Sequence, residues 1–201
     1  MQEKGSKITG ILLAGGMSRR MGKEKGHLRI GNALLYQYPL RVLEKLCDEV
    51  LISTCDTSFS ETGQRCICDE VKGIGPLGGI YSCLKHSSNE LNLVLSYDMP
   101  MVSEALFTTL VNSREDYDLV LPALNGERPE PLCGLYMRKL IEELKEMIDA
   151  QDYAVRHLSL NCHSKLLTVS REMSCWHKDL FLNINSKEDL DRIPEGLGTD
   201  L

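Results

Sequence analysis

Long apolar runs are absent from this sequence of 201 residues, because none approaches the roughly 18 residues of a membrane-spanning helix. The first residues also lack the charged and apolar segments of a signal peptide, so we expect a cytoplasmic protein. An excess of positive charge is absent as well, since 23 Lys and Arg stand against 29 Asp and Glu, a net charge of −6. Nucleic-acid-binding proteins usually carry a basic face. The composition therefore favours neither a nucleic acid nor a membrane as partner.

Ordered cysteine spacing is missing too. The eight cysteines include no pair at C-x-x-C spacing, and Cys and His do not repeat as they do in zinc-binding frameworks. The five histidines form no pair at the spacing of metal ligands. We therefore expect the cysteines to be small, buried, unpaired side chains, as in most proteins of a reducing compartment.

The sequence does contain the composition of a folded domain, with 42% apolar and 26% charged residues. Its length suits one domain. No internal repeat, low-complexity linker or boundary divides it. We expect a single domain over residues 1–201, with residues 195–201 as a flexible tail.

Apolar strand-like runs alternate with helical patterns along the chain. Strands are expected over 8–14, 49–54, 65–68, 92–96, 118–122, 132–137 and 181–184. Helices are expected over 34–46, 75–86, 103–112 and 139–149, with another starting near 186. This alternation predicts an α/β fold, a three-layer αβα sandwich around a mostly parallel, Rossmann-like sheet. Ligands of such sheets bind at the carboxyl ends of the strands.

The first expected strand enters LAGGMSRRMGKEKG, residues 13–26, which is rich in glycine and in positive charge. Five residues separate Gly16 from Gly22, so the spacing fits neither the mononucleotide loop nor the dinucleotide fingerprint. Adjacent glycines nevertheless let backbone N–H groups surround an anion, and Arg and Lys side chains add charge. A solvated basic turn is the alternative. The composition favours a loop that binds phosphate.

Asp98 directly follows the strand expected over 92–96 and Tyr97, and it precedes Met99 and Pro100. A carboxylate at a strand end suits Mg²⁺, which takes one or two carboxylates together with phosphate oxygens and water. On position alone, an aspartate that stabilises a turn is an equal alternative.

Five short segments stand out along the chain: LAGGMSRRMG at 13–22, GPLGG at 75–79, SYDMP at 96–100, PLCGLY at 131–136 and FLNINSKEDL at 181–190. They resemble, in the same order, segments of the molybdenum cofactor guanylyltransferases, a branch of the GT-A-like nucleotidyltransferases. The resemblance spans roughly residues 8–191.

The resemblance implies a Mg²⁺-dependent enzyme that transfers GMP from GTP to the terminal phosphate of molybdopterin and releases pyrophosphate. It implies GTP and the molybdopterin cofactor as partners, with cofactor-synthesis or molybdoenzyme-maturation proteins as further candidates. Three alternatives stay open: a cytidylyltransferase acting on the same cofactor, a sugar-phosphate nucleotidyltransferase of this fold, and a non-catalytic protein that binds GTP or the cofactor.

The resemblance also implies roles for particular residues. Asn183 and Asn185 are expected to bind the acceptor, since alternate residues of a strand share one face, although turn-forming asparagines are an alternative. Asp69 is expected to contact ribose or guanine, with a surface acid as its alternative and Glu70 as the other choice. The expected catalytic residues are Arg20, Lys25 and Asp98, of which Asp98 is the metal ligand. The expected nucleotide-binding residues are Leu13, Ala14, Gly15, Gly16, Lys25, Ser53, Asp69, Gly78 and Asp98.

Two segments depart from the family's pattern. Ser53, Thr54 and Cys55 stand where the family often has an asparagine, so the choice between guanine and cytosine stays open. Residues 127–130, Glu-Arg-Pro-Glu, precede Pro131 where His-Pro or Gln-Pro is often seen, and their role is open.

Overall fold

The structure is a computed structural model that describes residues 7–15, 28–185 and 187–193. The part of the glycine-rich loop after Gly15 lies outside these ranges, and so does the expected tail at 195–201. Within the described ranges, no helix is both long and apolar enough to cross a membrane.

A seven-stranded sheet forms the centre of the fold, with strand order β5-β4-β1-β6-β8-β7-β9. Neighbours among β5, β4, β1 and β6 are parallel, β8 is antiparallel to β6 and β7, and β9 is parallel to β7. The predicted mostly parallel sheet is confirmed. The strands are β1 (Ile8–Leu13), β4 (Glu49–Ser53), β5 (Arg65–Ile67), β6 (Leu91–Ser96), β7 (Leu119–Leu124), β8 (Cys133–Met137) and β9 (Ser164–Val169). A separate hairpin pairs β2 (Arg29–Ile30) with β3 (Ala33–Leu34).

Helices cover both faces of the sheet, because its central strands are apolar on both sides. One face packs against α1 and α3 in a core that includes Leu43 and Phe107. The other packs against α2, α4 and α5 in a core that includes Ile80 and Leu144. The predicted three layers are therefore present. The helices are α1 (Gln37–Leu46), α2 (Pro76–His86), α3 (Glu104–Asn112), α4 (Ile141–Asp149), α5 (Leu158–Asn161) and α6 (Lys187–Leu190).

The expected strand over 181–184 is wrong, because this segment is a turn followed by irregular backbone. The Ile184 N–H donates to the Asp98 carbonyl oxygen at 2.9 Å, so it bonds to the connection after β6 and not to a strand. Leu182 and Ile184 are buried with Leu35 in a small core beside the sheet. Apolar alternation therefore arises here from packing of an irregular segment. The last strand of the sheet is instead β9, which pairs with β7 on the side away from β8 and which the sequence pattern did not predict.

The expectation that every cysteine is unpaired and buried is also wrong. Cys55 and Cys68 form a disulfide with their Cα atoms 4.7 Å apart, and Cys66 is exposed. The pairing follows from the fold, since β4 and β5 are adjacent parallel strands and each cysteine lies just beyond the end of one of them. The buried thiols, which fit the expectation, are those of Cys83, Cys133 and Cys175.

Candidate active site

The carboxyl ends of β1, β4, β5 and β6 meet at one edge of the sheet, and several of the predicted nucleotide-binding residues that the structure describes lie there. Backbone hydrogen bonds continue the pairing past the strand ends: Ala14 N–H donates to the Ser53 carbonyl at 3.0 Å, and Tyr97 N–H donates to the Leu13 carbonyl at 3.1 Å. Leu13, Ala14, Gly15 and Ser53 therefore lie side by side at the edge where α/β sheets bind ligands.

The first turn of α2 packs directly on the end of β4, and this contact depends on glycine. A Cβ on Gly79 would overlap the Ser53 hydroxyl, and a Cβ on Gly78 would lie 2.7 Å from the Val71 carbonyl oxygen. A Cβ on Gly15 would lie 3.0 Å from the Ser53 carbonyl oxygen. Because Gly78 and Gly79 have no side chains, the N-terminus of α2 can lie against this edge. The N–H groups of a helix N-terminus favour anions.

Asp69 is held at the same edge by Ser53, whose hydroxyl donates to Asp69 Oδ1 at 3.1 Å. Partial burial raises the pKa of Asp69, and the hydrogen bond from Ser53 opposes that rise. The neighbouring Glu70 points elsewhere, because its carboxylate pairs with Lys85 on α2 at 2.5 Å. Of the two acids, Asp69 is the one beside Ser53, which supports it over Glu70 as the nucleotide contact.

Asp98 lies at the middle of the edge, where the parallel half of the sheet meets the mixed half. Its Oδ1 accepts the Ser96 hydroxyl at 2.7 Å, and its carbonyl accepts Ile184 N–H. Among the described residues, no group of three or more His, Cys, Asp and Glu could hold a metal by itself. One oriented carboxylate fits Mg²⁺, which completes its coordination with phosphate oxygens and water.

A cavity of about 880 Å³ opens on the mixed half of the sheet. It is bounded by the connection between β7 and β8, by an irregular segment before α6, and by Arg192. Glu127–Glu130, the segment whose role the sequence left open, forms part of the wall. The lining residues are Leu124, Glu127, Arg128, Pro129, Glu130, Lys178, Asp179, Phe181, Leu182, Asn183 and Arg192.

The cavity is lined by side chains of both signs of charge. The Asp179 carboxylate, whose side chain is 11% exposed, pairs with Arg192 at 2.9 Å and lies 3.9 Å from Lys178. Burial raises the pKa of Glu130, which accepts the Leu132 N–H at 3.0 Å, and the nearby charge of Asp98 raises that pKa further. The link between the cavity and the expected metal ligand is Glu130, which lines the cavity and is close enough to Asp98 to feel its charge.

Residues 10–165 match the family model described as the MobA-like NTP transferase domain. The chain belongs to this family. It is 30% identical over 196 residues to a probable molybdenum cofactor guanylyltransferase of Geobacillus sp. (strain WCH70), covering 94% of this chain and 98% of the relative. The resemblance seen in the sequence is confirmed.

Solved structures share the fold of this chain. Molybdopterin-guanine dinucleotide biosynthesis protein A from Archaeoglobus fulgidus superposes with a TM-score of 0.73 at 24% identity, over 92% of this chain and 95% of that one. A 4-diphosphocytidyl-2C-methyl-D-erythritol synthase from Anaerococcus prevotii superposes with a TM-score of 0.69 at 14% identity, over 93% and 96%. At these identities the likeness establishes the fold alone.

The structure brings together only part of the site predicted for a MobA-like NTP transferase. Ser53 at the end of β4 contacts Asp69, Gly78 lies beside Gly79 in the turn of α2 that packs on Ser53, and Asn183 lines the cavity. Asn185 is exposed and is not among the cavity-lining residues; its N–H donates to Asp189 at 2.8 Å. The expectation that both asparagines share one face depended on a strand that is not formed. Three predicted residues, Gly16, Arg20 and Lys25, lie outside the described residues.

The charged residues that line the cavity were not identified from the sequence. Lys178, Asp179 and Arg192 come from an irregular region with no motif, and the Asp179–Arg192 pair joins residues 13 apart. Arg128 belongs to the segment that departs from the family pattern. That departure and the FLNINSKEDL segment, whose first three residues line the cavity, were the available signals that this region forms part of a site.

Proposed function

We propose that this protein transfers GMP from GTP to the terminal phosphate of molybdopterin and releases pyrophosphate, in the presence of Mg²⁺. The name of the Geobacillus relative supports guanylyl transfer to this cofactor. The single observation that carries the proposal is the position of Asp98, between a glycine-lined edge suited to a nucleotide and a cavity large enough for a second substrate. The cavity takes the acceptor in this proposal.

The reaction needs positioning more than a protein nucleophile. A phosphate monoester oxygen of the acceptor attacks the α-phosphorus of GTP in line, a new P–O bond forms, and the bond to pyrophosphate breaks. Mg²⁺, when bound, offsets negative charge on the phosphates. On the protein side, the edge at Leu13–Gly15 and the first turn of α2 hold the nucleotide, with Ser53 and Asp69 on its ribose or base.

Two further proposed roles rest on the sequence alone. Lys25 neutralises the α- or β-phosphate as the bond to pyrophosphate breaks, and Arg20 stabilises the leaving group.

Arg128 and Asn183 bind the acceptor, because both line the cavity. Asp98, which accepts a hydrogen bond from the Ser96 hydroxyl, is the residue that would hold Mg²⁺.

The test is pyrophosphate release from GTP, CTP, UTP and ATP, with and without molybdopterin, by the wild-type protein and the Asp98→Asn variant. We expect release with GTP and acceptor together, and a loss of at least about 100-fold in the variant, because a removed electrostatic contact to the reacting phosphates costs this much. Asparagine still accepts the Ser96 hydroxyl, so circular dichroism and thermal unfolding should match the wild type.

Asp116→Asn is the matched control, because Asp116 is exposed and precedes β7 at the opposite edge of the sheet. Its rate should equal that of the wild type. A preference for CTP would support the cytidylyl alternative, and nucleotide binding without pyrophosphate release would support the non-catalytic one. An Asp98→Asn rate within tenfold of wild type would refute the role of Asp98.

A further inference from the structure

The disulfide between Cys55 and Cys68 joins the two connections that carry Ser53 and Asp69. Cys55 lies two residues after Ser53, and Cys68 directly precedes Asp69. Pairing between the strands ends immediately before the cross-link, with the hydrogen bond from Thr54 N–H to the Ile67 carbonyl at 2.9 Å. Beyond this hydrogen bond, the disulfide joins the two connections where the backbone pairing of β4 and β5 has ended.

Strand β5 supplies few other contacts that could fix this part of the edge. It has three residues, it is the outermost strand of the sheet, and its register with β4 consists of three residue pairs. An edge strand of this length contributes few backbone hydrogen bonds. Helix α2 also contacts this segment, since the Glu70 N–H donates to the Ser82 hydroxyl at 2.9 Å. The cross-link adds a covalent constraint on the position of Asp69 relative to Ser53.

Cys55 and Cys68 are both exposed residues, so the disulfide lies at the surface of the protein. A small thiol can thus reach the bond without unfolding the protein. The nearby Cys66 is exposed and unpaired, which makes it a natural control for the pair.

We propose that the Cys55–Cys68 pair is a redox switch of nucleotide affinity, in which the disulfide form binds a nucleoside triphosphate more tightly than the dithiol form. The inference rests on the proposed function, since it takes the Ser53–Asp69 edge as the nucleotide site. The cross-link orders Ser53 and Asp69 before the nucleotide arrives, so binding loses less conformational entropy. In the reduced form Ser53 and Asp69 are still available to the nucleotide, but they are no longer restrained before it binds.

The switch requires a thiol reductant, such as a low-molecular-weight thiol or a dithiol. A thiolate attacks one sulfur of the pair, the S–S bond breaks, and the other cysteine leaves as a thiolate and takes up a proton. A second thiol then releases the mixed disulfide. The sum is Cys55–S–S–Cys68 plus two R–SH giving two cysteine thiols plus R–S–S–R, a transfer of two electrons and two protons.

Thermodynamic linkage makes the effect reciprocal, because a nucleotide that prefers the disulfide form must also protect that form. Bound nucleotide therefore lowers the reduction potential of the pair. A fivefold difference in affinity corresponds to about 20 mV for this two-electron couple.

The experiment measures the dissociation constants of GTP, CTP, UTP and ATP, each with Mg²⁺, for the full-length protein in oxidised and in reduced dithiothreitol. Alkylation followed by mass spectrometry should count six free thiols in the first form and all eight in the second. We expect the dissociation constant of the tightest nucleotide to rise at least about fivefold on reduction. The Cys55→Ser/Cys68→Ser variant should show the higher constant in both buffers.

Cys66→Ser is the matched control and should keep the full redox response. Equal dissociation constants in the two forms, with thiol counts of six and eight, would overturn the proposal, as would eight thiols in the oxidising buffer or a response abolished by Cys66→Ser. A redox-dependent constant for CTP with no binding of GTP would contradict the proposed guanylyl transfer and support the switch. Absence of binding of every nucleotide would refute both.

Discussion

At the scale of a single residue, the environment of Asp69 lowers the stability of the folded protein at neutral pH while providing a carboxylate for the proposed nucleotide contact. Partial burial raises its pKa, so the folded protein holds the proton to a higher pH than the unfolded chain does. The stability from this group is present below the unfolded pKa and is lost as pH rises through the folded pKa. At neutral pH the ionised Asp69 is therefore a cost to folding that is retained, in our proposal, because a carboxylate accepts N–H and O–H groups of a nucleotide.

Asp69→Asn should therefore separate the two properties. We expect kcat/KM for GTP to fall about 10-fold or more, since hydrogen bonds to a charged group contribute roughly 1.5–3 kcal/mol. The acid limb assigned to Asp69 in the pH profile of kcat/KM should lie at a higher pH than that of an unperturbed aspartate, because burial raises the pKa of Asp69, and it should vanish in the variant.

The free energy of unfolding of Asp69→Asn at neutral pH, measured in urea, should equal or exceed that of the wild type. Asparagine can still accept the Ser53 hydroxyl, so the local hydrogen bond survives. A variant that loses stability and keeps its kcat/KM would contradict the assignment of Asp69 to the nucleotide.

At the scale of elements, the site depends on how closely α2 approaches β4. Gly75 has φ +69° and Pro76 begins the helix, so the turn before α2 needs glycine and its first residue has a fixed φ. The next contact then places Gly79 against Ser53 with no room for a Cβ. Close packing of these two elements aligns Ser53 with Asp69.

Gly79→Ala should loosen this contact at a measurable cost. The new methyl group forces the Ser53 hydroxyl to rotate away and give up its hydrogen bond to Asp69. We expect a loss of about 1–3 kcal/mol in the free energy of unfolding, as in other overpacked sites, together with a higher KM for GTP. Urea denaturation and initial-rate kinetics measure the two effects.

Ser53→Ala and the Ser53→Ala/Gly79→Ala double variant complete the cycle. Because the serine hydroxyl is the atom that overlaps the new methyl group, the double variant should cost less than the sum of the single variants. Additive costs would show that the methyl group disturbs some other contact.

At the scale of the whole molecule, the sheet divides into two halves with different tasks. The parallel half carries the glycine-lined edge, and the mixed half carries the cavity, with Asp98 between them. The sole tryptophan, Trp176, donates to Asn125 at 3.2 Å, and Asn125 follows the cavity-lining Leu124. Its fluorescence should therefore report on the cavity and not on the nucleotide edge.

Arg128→Ala should affect the acceptor alone. We expect KM for molybdopterin to rise about 10-fold, the effect of losing a charge-assisted hydrogen bond, with the dissociation constant of GTP unchanged. The change in Trp176 fluorescence on adding molybdopterin should weaken in parallel.

Lys145→Ala is the control for Arg128→Ala, since Lys145 pairs with Asp149 on α4 and does not line the cavity. It should leave both substrates unaffected. A change in GTP affinity in Arg128→Ala would contradict the division of the sheet into a nucleotide half and an acceptor half.

The sequence by itself determined the layered α/β fold, most of the strands and helices, the family, and the position of Asp98 at a strand end. These features follow from local periodicity and from short segments in which the backbone conformation or close packing requires particular residues, such as Gly75–Gly79. Only the tertiary structure decided that 181–184 is not a strand, that Cys55 pairs with Cys68, and that Lys178, Asp179 and Arg192 wall a cavity. Each of these features depends on contacts between residues that are distant in the sequence. A local pattern of apolar and polar residues is compatible with many different sets of such contacts.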